Sequence, residues 1–232
     1  MAFQMVHMEV AYRMLKYMPE MKNKADFILG SVAPDSVHME EVYKEEDKIE
    51  SHLFWGCGPW AKTTNSEKWR QNILDFWKTY KEIYVDDLSH ETPTYEFILG
   101  YVVHCLTDYC NDLNVWIALK NKSNLPEDKL KELYYPEARG IDQWLFLNSP
   151  NSEEIMALLE EGQAFSVQNK IKKDLVEKEK LHLLKTQYDT DLTEEVRANL
   201  SDDIVEKYKY VPPKFMETFL NETAEMIYCM LK

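Results

Sequence analysis

Apolar residues recur at helical spacing along most of the chain, and strict alternation is rare. This pattern predicts an all-α or nearly all-α fold. A first helix is expected over about 2–18, with Phe3, Val6, Val10, Met14 and Met18 on one side. A second, over about 23–31, carries "ADFILGSVAPD" and stops at Pro34. Residues 35–65 read as a long loop, first rich in Glu and Lys and then in aromatics ("SHLFWGCGPW"). Connectors of that length tend to be functional or disordered, and the aromatics argue against disorder. A third helix starts at Asn65 or Ser66, runs to about 85 and carries Trp69, Ile73, Phe76, Trp77 and Tyr80. Thr92-Pro93 looks like a cap with Pro at the first helical position, opening a long core helix over about 92–119. Beyond it come a polar turn with a short helix (121–136), a helix capped at Ser152 and running to about 169, and a charged stretch (170–189). A short helix near Thr193 and a final helix after Val211-Pro212-Pro213 complete the pattern.

One local echo stands out. "DFILGSVAPD" and "EFILGYVVHC" both place FILG inside a buried helix. Glycine inside a helix costs about 1 kcal/mol relative to alanine. Gly30 and Gly100 are therefore expected where two helices cross closely, which brings Asp35 and His104 into one neighbourhood.

The chain has 232 residues, 45% hydrophobic content and only six glycines, with no linker-like stretch, so a single domain over 1–232 is expected. A net charge of −14 disfavours extended nucleic-acid binding. No run of about 18 apolar residues suggests a membrane span. The opening residues read as an amphipathic helix interrupted by His7, Glu9 and Arg13, not as a signal peptide. Cys57, Cys105, Cys110 and Cys229 lack CxxC spacing and read as reduced thiols, with Cys105 and Cys110 in the core. A cytoplasmic location is expected; the oligomeric state is left open.

His104 and Asp108 lie four apart on the apolar helix, hence on one side of it. A buried unpaired carboxylate costs several kcal/mol. A cation would compensate it, and so would a structural hydrogen bond. Singly, the other polar residues have ordinary readings. His7 fits an apolar helix face, Asp35 a helix end after Pro34 and His52 an aromatic loop. His38 could support Asp35 from three residues away, while His90 and His182 read as solvated. Jointly, two histidines and two aspartates form a nitrogen–oxygen ligand set suited to Zn²⁺, with Mn²⁺ or Fe²⁺ as alternatives. Helices and one long loop supply them, as a site between packed helices requires.

In order, a histidine in the first helix, "FILGSVAPD", "SHLF" and "GYVVHCLTD" resemble the zinc-dependent phospholipase C family, to which fungal single-strand nucleases are related. The resemblance spans about residues 3–116. It implies a helical bundle of phospholipase C or single-strand nuclease type with one to three metal ions. Asp35, His52, His104 and Asp108 would hold one ion, and Asp108 would bridge to a second beside His7. In secreted members a processed N-terminal tryptophan completes the second site; here Met1-Ala2 precedes His7. No second histidine follows Asp108 at the expected spacing, where Asn111, Asp112 and Asn114 stand, and the later His-x-x-x-Glu is missing. Asp112, Glu137 and Asp142 are candidate oxygen replacements.

The implied reaction is metal-assisted hydrolysis of a small phosphoester, with Asp35 orienting water or accepting its proton. Phe54, Trp55 and Trp60 could line the substrate entrance, or anchor the loop as core. An inactive metal-binding member serving as sensor or interaction module, and a helical interaction protein without metal, are the competing readings.

Overall fold

The computed structural model describes residues 2–58, 63–83, 92–188 and 200–232. Among these the structure is all helical, and no strand is formed beyond an isolated bridge between Val167 and Ile171. Trp60, His90 and the helix expected at Thr193 lie outside the described residues.

The first half of the chain supplies α1 (Gln4–Met14), α2 (Lys24–Gly30), α3 (Glu45–Ser51), α4 (Ser66–Ile83) and α5 (Tyr95–Asn111). A 3-10 segment, Ala33–Met39, follows α2. The 35–65 region is thus not a plain loop. Its charged half forms α3, opened by Asp47, whose carboxylate accepts the Lys44 N–H at 2.9 Å. The α5 cap is Thr94 and not Thr92: its hydroxyl accepts the Phe97 N–H at 3.2 Å. After Asn111 the chain passes through π-helical geometry (Asp112–Ile117) into α6 (Ala118–Lys122).

The short helix expected within 121–136 is in fact a 22-residue helix, α7 (Glu127–Asn148), with Pro136 inside it. Proline removes one helical hydrogen bond. Burial of Leu130, Tyr134, Ala138, Ile141 and Leu145 on both sides of Pro136 holds the helix together. α8 (Ser152–Glu161) ends at Gly162, well short of 169, where a Cβ would lie 2.7 Å from Leu29 Cβ. α9 (Lys173–His182) and a C-terminal helix (Pro213–Leu231) follow.

α2 and α5 form the tightest crossing. A Cβ on Gly30 would sit 2.2 Å from Phe97 O, and one on Gly100 2.2 Å from Phe27 O. Each helix therefore fits against the other's backbone only because both residues are glycine. Asp26 locks the entrance of the pair: it accepts the Thr94 hydroxyl at 2.8 Å and the Gln163 N–H at 2.8 Å. Buried apolar side chains from Met5 to Ile227 form one cluster around this crossing, Cys105 and Cys110 among them.

Candidate metal centre

The crossing decides how His104 is presented. Its Nδ1 lies 2.8 Å from the main-chain carbonyl of Ser31, the first residue after α2. A carbonyl only accepts, so Nδ1 carries the proton and Nε2 turns a lone pair outward. His52 faces it, with the two Nε2 atoms 3.2 Å apart. His52 Nε2 is 3.1 Å from Asp35 Oδ1 and 3.7 Å from Asp108 Oδ2; His104 Nε2 is 3.9 Å from Asp35 Oδ2. A tetrahedral ion with ligand bonds near 2.1 Å has ligand–ligand edges of about 3.4 Å. These separations bracket that value.

His7 stacks on His104 with ring centroids 3.8 Å apart, and its Nε2 lies 3.5 Å from Asp108 Oδ1. The ligand atoms fall into two overlapping groups, His7–Asp35–His104 and His52–His104–Asp108, each within 4.8 Å throughout. His104 has one nitrogen left for both, so a single ion claims it. The sequence-derived set of His7, Asp35, His52, His104 and Asp108 is thus brought to one place.

His7, His52, His104 and Asp108 are fully buried and Asp35 is 4% exposed. Among the described residues neither ring nitrogen of His7 has a hydrogen-bond partner, nor does Asp108 Oδ2. Buried polar atoms are almost always satisfied, and a divalent cation would satisfy these. The chemistry fits as well. Burial holds His7 well below the usual imidazole range. Burial and then Lys48 push His52 down to about 3. Both are neutral, as ligands must be. Burial alone would raise Asp35, but the Lys48 charge and hydrogen bonds from His38 and His52 outweigh it and hold the carboxyl well below its usual range.

The supports come from several elements. Asp35 Oδ1 accepts from Lys48 Nζ at 3.1 Å, and Oδ2 from Gln4 Nε2 at 3.1 Å. The Ala2 N–H donates to Asp108 Oδ1 at 2.8 Å. The Trp69 indole donates to His52 O at 2.9 Å. Leu53 takes a left-handed φ of 62°, and Asn72 Nδ2 holds the turn by donating to Leu53 O and Trp55 O at 3.0 and 2.9 Å.

Several candidates fall elsewhere. His38 sits on the rim, its Nε2 3.5 Å from Asp35 Oδ1. Asp112 is buried one turn past Asp108 but belongs to neither ligand group. Asp142 caps α1: Oδ1 accepts the Met5 and Val6 N–H groups at 2.8 and 3.2 Å, and Oδ2 the Tyr188 hydroxyl at 2.7 Å. Glu137 accepts the main-chain N–H groups of Lys209 and Tyr210 at 3.0 and 2.7 Å, fixing that segment. Phe54 is core, stacked on His52 and packed on Trp69 with centroids 5.8 and 4.3 Å away. Trp55 is half-buried beneath the Lys170 ammonium at 4.0 Å, which also pairs with Glu50 at 2.8 Å.

Sequence reasoning missed Lys48, Gln4 and Glu179. Gln4 precedes His7 by three residues and Lys48 precedes His52 by four, so helical spacing carried a signal. Glu179, which accepts from Gln4 Nε2 at 3.1 Å, left none in its charged run.

Fold and site together define an all-helical protein with a buried histidine–aspartate centre. Residues 6–111 match the family model of zinc dependent phospholipase C. The match spans all five converging side chains, and the centre is compatible with zinc. No curated protein and no solved structure matches the chain.

Proposed function

We propose that this protein is a metal-dependent hydrolase of small phosphoesters, with Asp35, His52, His104 and Asp108 holding one divalent ion, zinc first, and His7 with Asp108 offering ligands to a second. The observation that carries the reading is the convergence of these side chains from four separate segments on a buried point, with polar atoms of His7 and Asp108 unsatisfied. When bound, such an ion neutralises phosphoryl charge and lowers the pKa of water.

The chain's own residues do the rest. The Ser31 carbonyl fixes His104 with Nε2 facing the cluster. Lys48 and Gln4 orient the two Asp35 oxygens, one of which takes up or aligns the proton of the attacking water. The packed aromatics behind His52 exclude bulk water and strengthen each electrostatic contact. Among the described residues no helix is long and apolar enough to cross a membrane. The net charge of −14 supports a small cytoplasmic phosphoester over a bilayer lipid.

The test is elemental analysis of protein purified without chelator, followed by turnover of bis-p-nitrophenyl phosphate with added Zn²⁺ or Mn²⁺. Stoichiometric metal and turnover abolished by His104→Ala support the reading. Metal with no turnover in either protein moves the assignment to an inactive metal-binding member. No metal ends it.

A further inference from the structure

Gln4 opens α1 one turn before His7, on the same side of the helix. Its side-chain nitrogen donates twice, to Asp35 Oδ2 and to Glu179 Oε1, each at 3.1 Å. The Asp35 carboxylate only accepts, so turning the amide over would set its carbonyl against that carboxylate. The nitrogen thereby fixes where the amide oxygen goes. Gln4 Oε1 is buried, and among the described residues nothing donates to it. A buried acceptor without a donor costs about 1–3 kcal/mol, so a donor belongs beside it. The metal is not that partner: two imidazoles and two carboxylates already complete a tetrahedral set, and a neutral amide oxygen is a poor zinc ligand beside them.

We propose that Gln4 is a water-positioning residue: its carbonyl oxygen and the Asp35 carboxylate each accept one proton of the attacking water. The proposal rests on the hydrolase reading above. Oε1 shares an amide with the nitrogen bonded to Asp35, so it lies at most about 5.4 Å from Asp35 Oδ2. That is inside the reach of one water donating two hydrogen bonds of about 2.8 Å. Two acceptors on one side turn the water's lone pairs the other way, towards phosphorus. As the water oxygen bonds to phosphorus and the ester P–O bond breaks, Asp35 takes one proton. The other stays on the new oxygen, held by Gln4, and the leaving alkoxide is protonated by solvent. A bare acceptor repels phosphoryl oxygens, so water and not the phosphate occupies this place. Solvent also comes nearest the cluster on this side: Gln4 is 8% exposed and Asp35 and Glu179 4% each, whereas His7, His52, His104 and Asp108 are at 0%. The alternative is that Gln4 acts only through its nitrogen, holding Asp35 in place.

The experiment compares zinc-loaded wild type, Gln4→Lys and Gln4→Met on bis-p-nitrophenyl phosphate, after metal content has been measured. Lysine keeps a donor for Asp35 and Glu179 but offers no acceptor; methionine offers neither. Both variants are expected to lose at least about tenfold in kcat with little change in KM, because a misplaced water slows the chemical step and not substrate binding. Wild-type kcat in Gln4→Lys with a loss in Gln4→Met overturns the proposal, since the donor alone then does the work. Unchanged kcat in Gln4→Met overturns it too. Both of these outcomes leave the hydrolase reading standing, whereas a wild type without metal, or zinc-loaded without turnover, removes that reading and this one together. A second measurement needs no variant, and it decides the matter if either variant fails to hold zinc: the crystal structure of the zinc-loaded wild type. A water within about 3.2 Å of both Gln4 Oε1 and an Asp35 oxygen is expected there. Oε1 bonded to a protein donor, to the ion, or to a water out of reach of Asp35 overturns the proposal.

Discussion

His104 Nδ1 and the Ser31 carbonyl meet at 2.8 Å across the α2–α5 crossing, so the register of two helices sets which nitrogen of one histidine faces the centre. Gly100 makes that register attainable. In Gly100→Ala the new methyl would lie 2.2 Å from Phe27 O and 2.8 Å from Ser31 N, both backbone atoms that cannot swing aside. Destabilisation by about 3 kcal/mol or more is expected from urea unfolding, with weaker zinc binding. Gly56→Ala is the control: its φ of +67° brings only left-handed strain, about 1 kcal/mol, because nothing lies within 4 Å of the added Cβ.

Because His104 has one free nitrogen, its removal should empty the Asp35–His52–His104–Asp108 site, whereas removing His7 should spare that site. His104→Ala is expected to purify without stoichiometric metal. His7→Ala should retain one ion on the Asp35–His52–His104–Asp108 set, with metal content falling only if wild type holds more than one. Elemental analysis of the three proteins distinguishes these outcomes. Equal metal in His104→Ala and wild type would remove the shared-nitrogen geometry from the account.

The parts of the fold legible in the sequence were those where one requirement dominated. FILG in two apolar helices left close backbone approach as the simplest use for glycine, and the Gly30–Gly100 crossing follows. His104 and Asp108 stood out because ionisable groups are rare on so apolar a helix. Lys48 and Glu179 were hidden for the opposite reason: "EVYKEEDKIES" and "KKDLVEKEKLH" carry so many charges that the one buried in each run looks like its solvated neighbours. Pro136 concealed α7, because a local breaker is visible in sequence while the flanking burial that overrules it is tertiary. Asp142 reads in sequence as one candidate oxygen ligand, whereas in the structure it caps α1, a role set by where the N-terminus of α1 lands.

The turn at His52 is held under strain. Leu53 sits at φ 62°, a region costly for a side chain with a Cβ, and Asn72 keeps it there through two donated hydrogen bonds. Asn72→Ala should cost about 2 kcal/mol in unfolding free energy and weaken zinc about 10- to 100-fold, as loss of a support behind a ligand typically does. Competition with a chromophoric chelator measures the second effect. Unchanged zinc affinity would mean that the turn does not position His52.

Asp142 links the first helix to pH. Burial pushes its carboxyl up to about 7 despite hydrogen bonds from Tyr188, Val6 and Met5. Folded, it holds its proton to about pH 7; unfolded, it releases it near pH 4. Between those values the folded state binds more protons, so this group lowers stability as pH rises and reaches its full effect, roughly 4 kcal/mol, above pH 7. The lowered His7 and His52 act with the opposite sign, since the unfolded chain takes up protons below about pH 6.5 that the folded chain refuses. The wild-type curve therefore mixes the two, and a difference isolates Asp142. Asp142→Asn keeps an acceptor for the Met5 and Val6 N–H groups and offers the Tyr188 oxygen a donor, but cannot ionise. Its stability relative to wild type should climb steadily from about pH 4 to about pH 7 and level off above, as read by urea unfolding. A flat difference across that range would show that Asp142 is already ionised in the folded protein, with its hydrogen-bond donors outweighing burial.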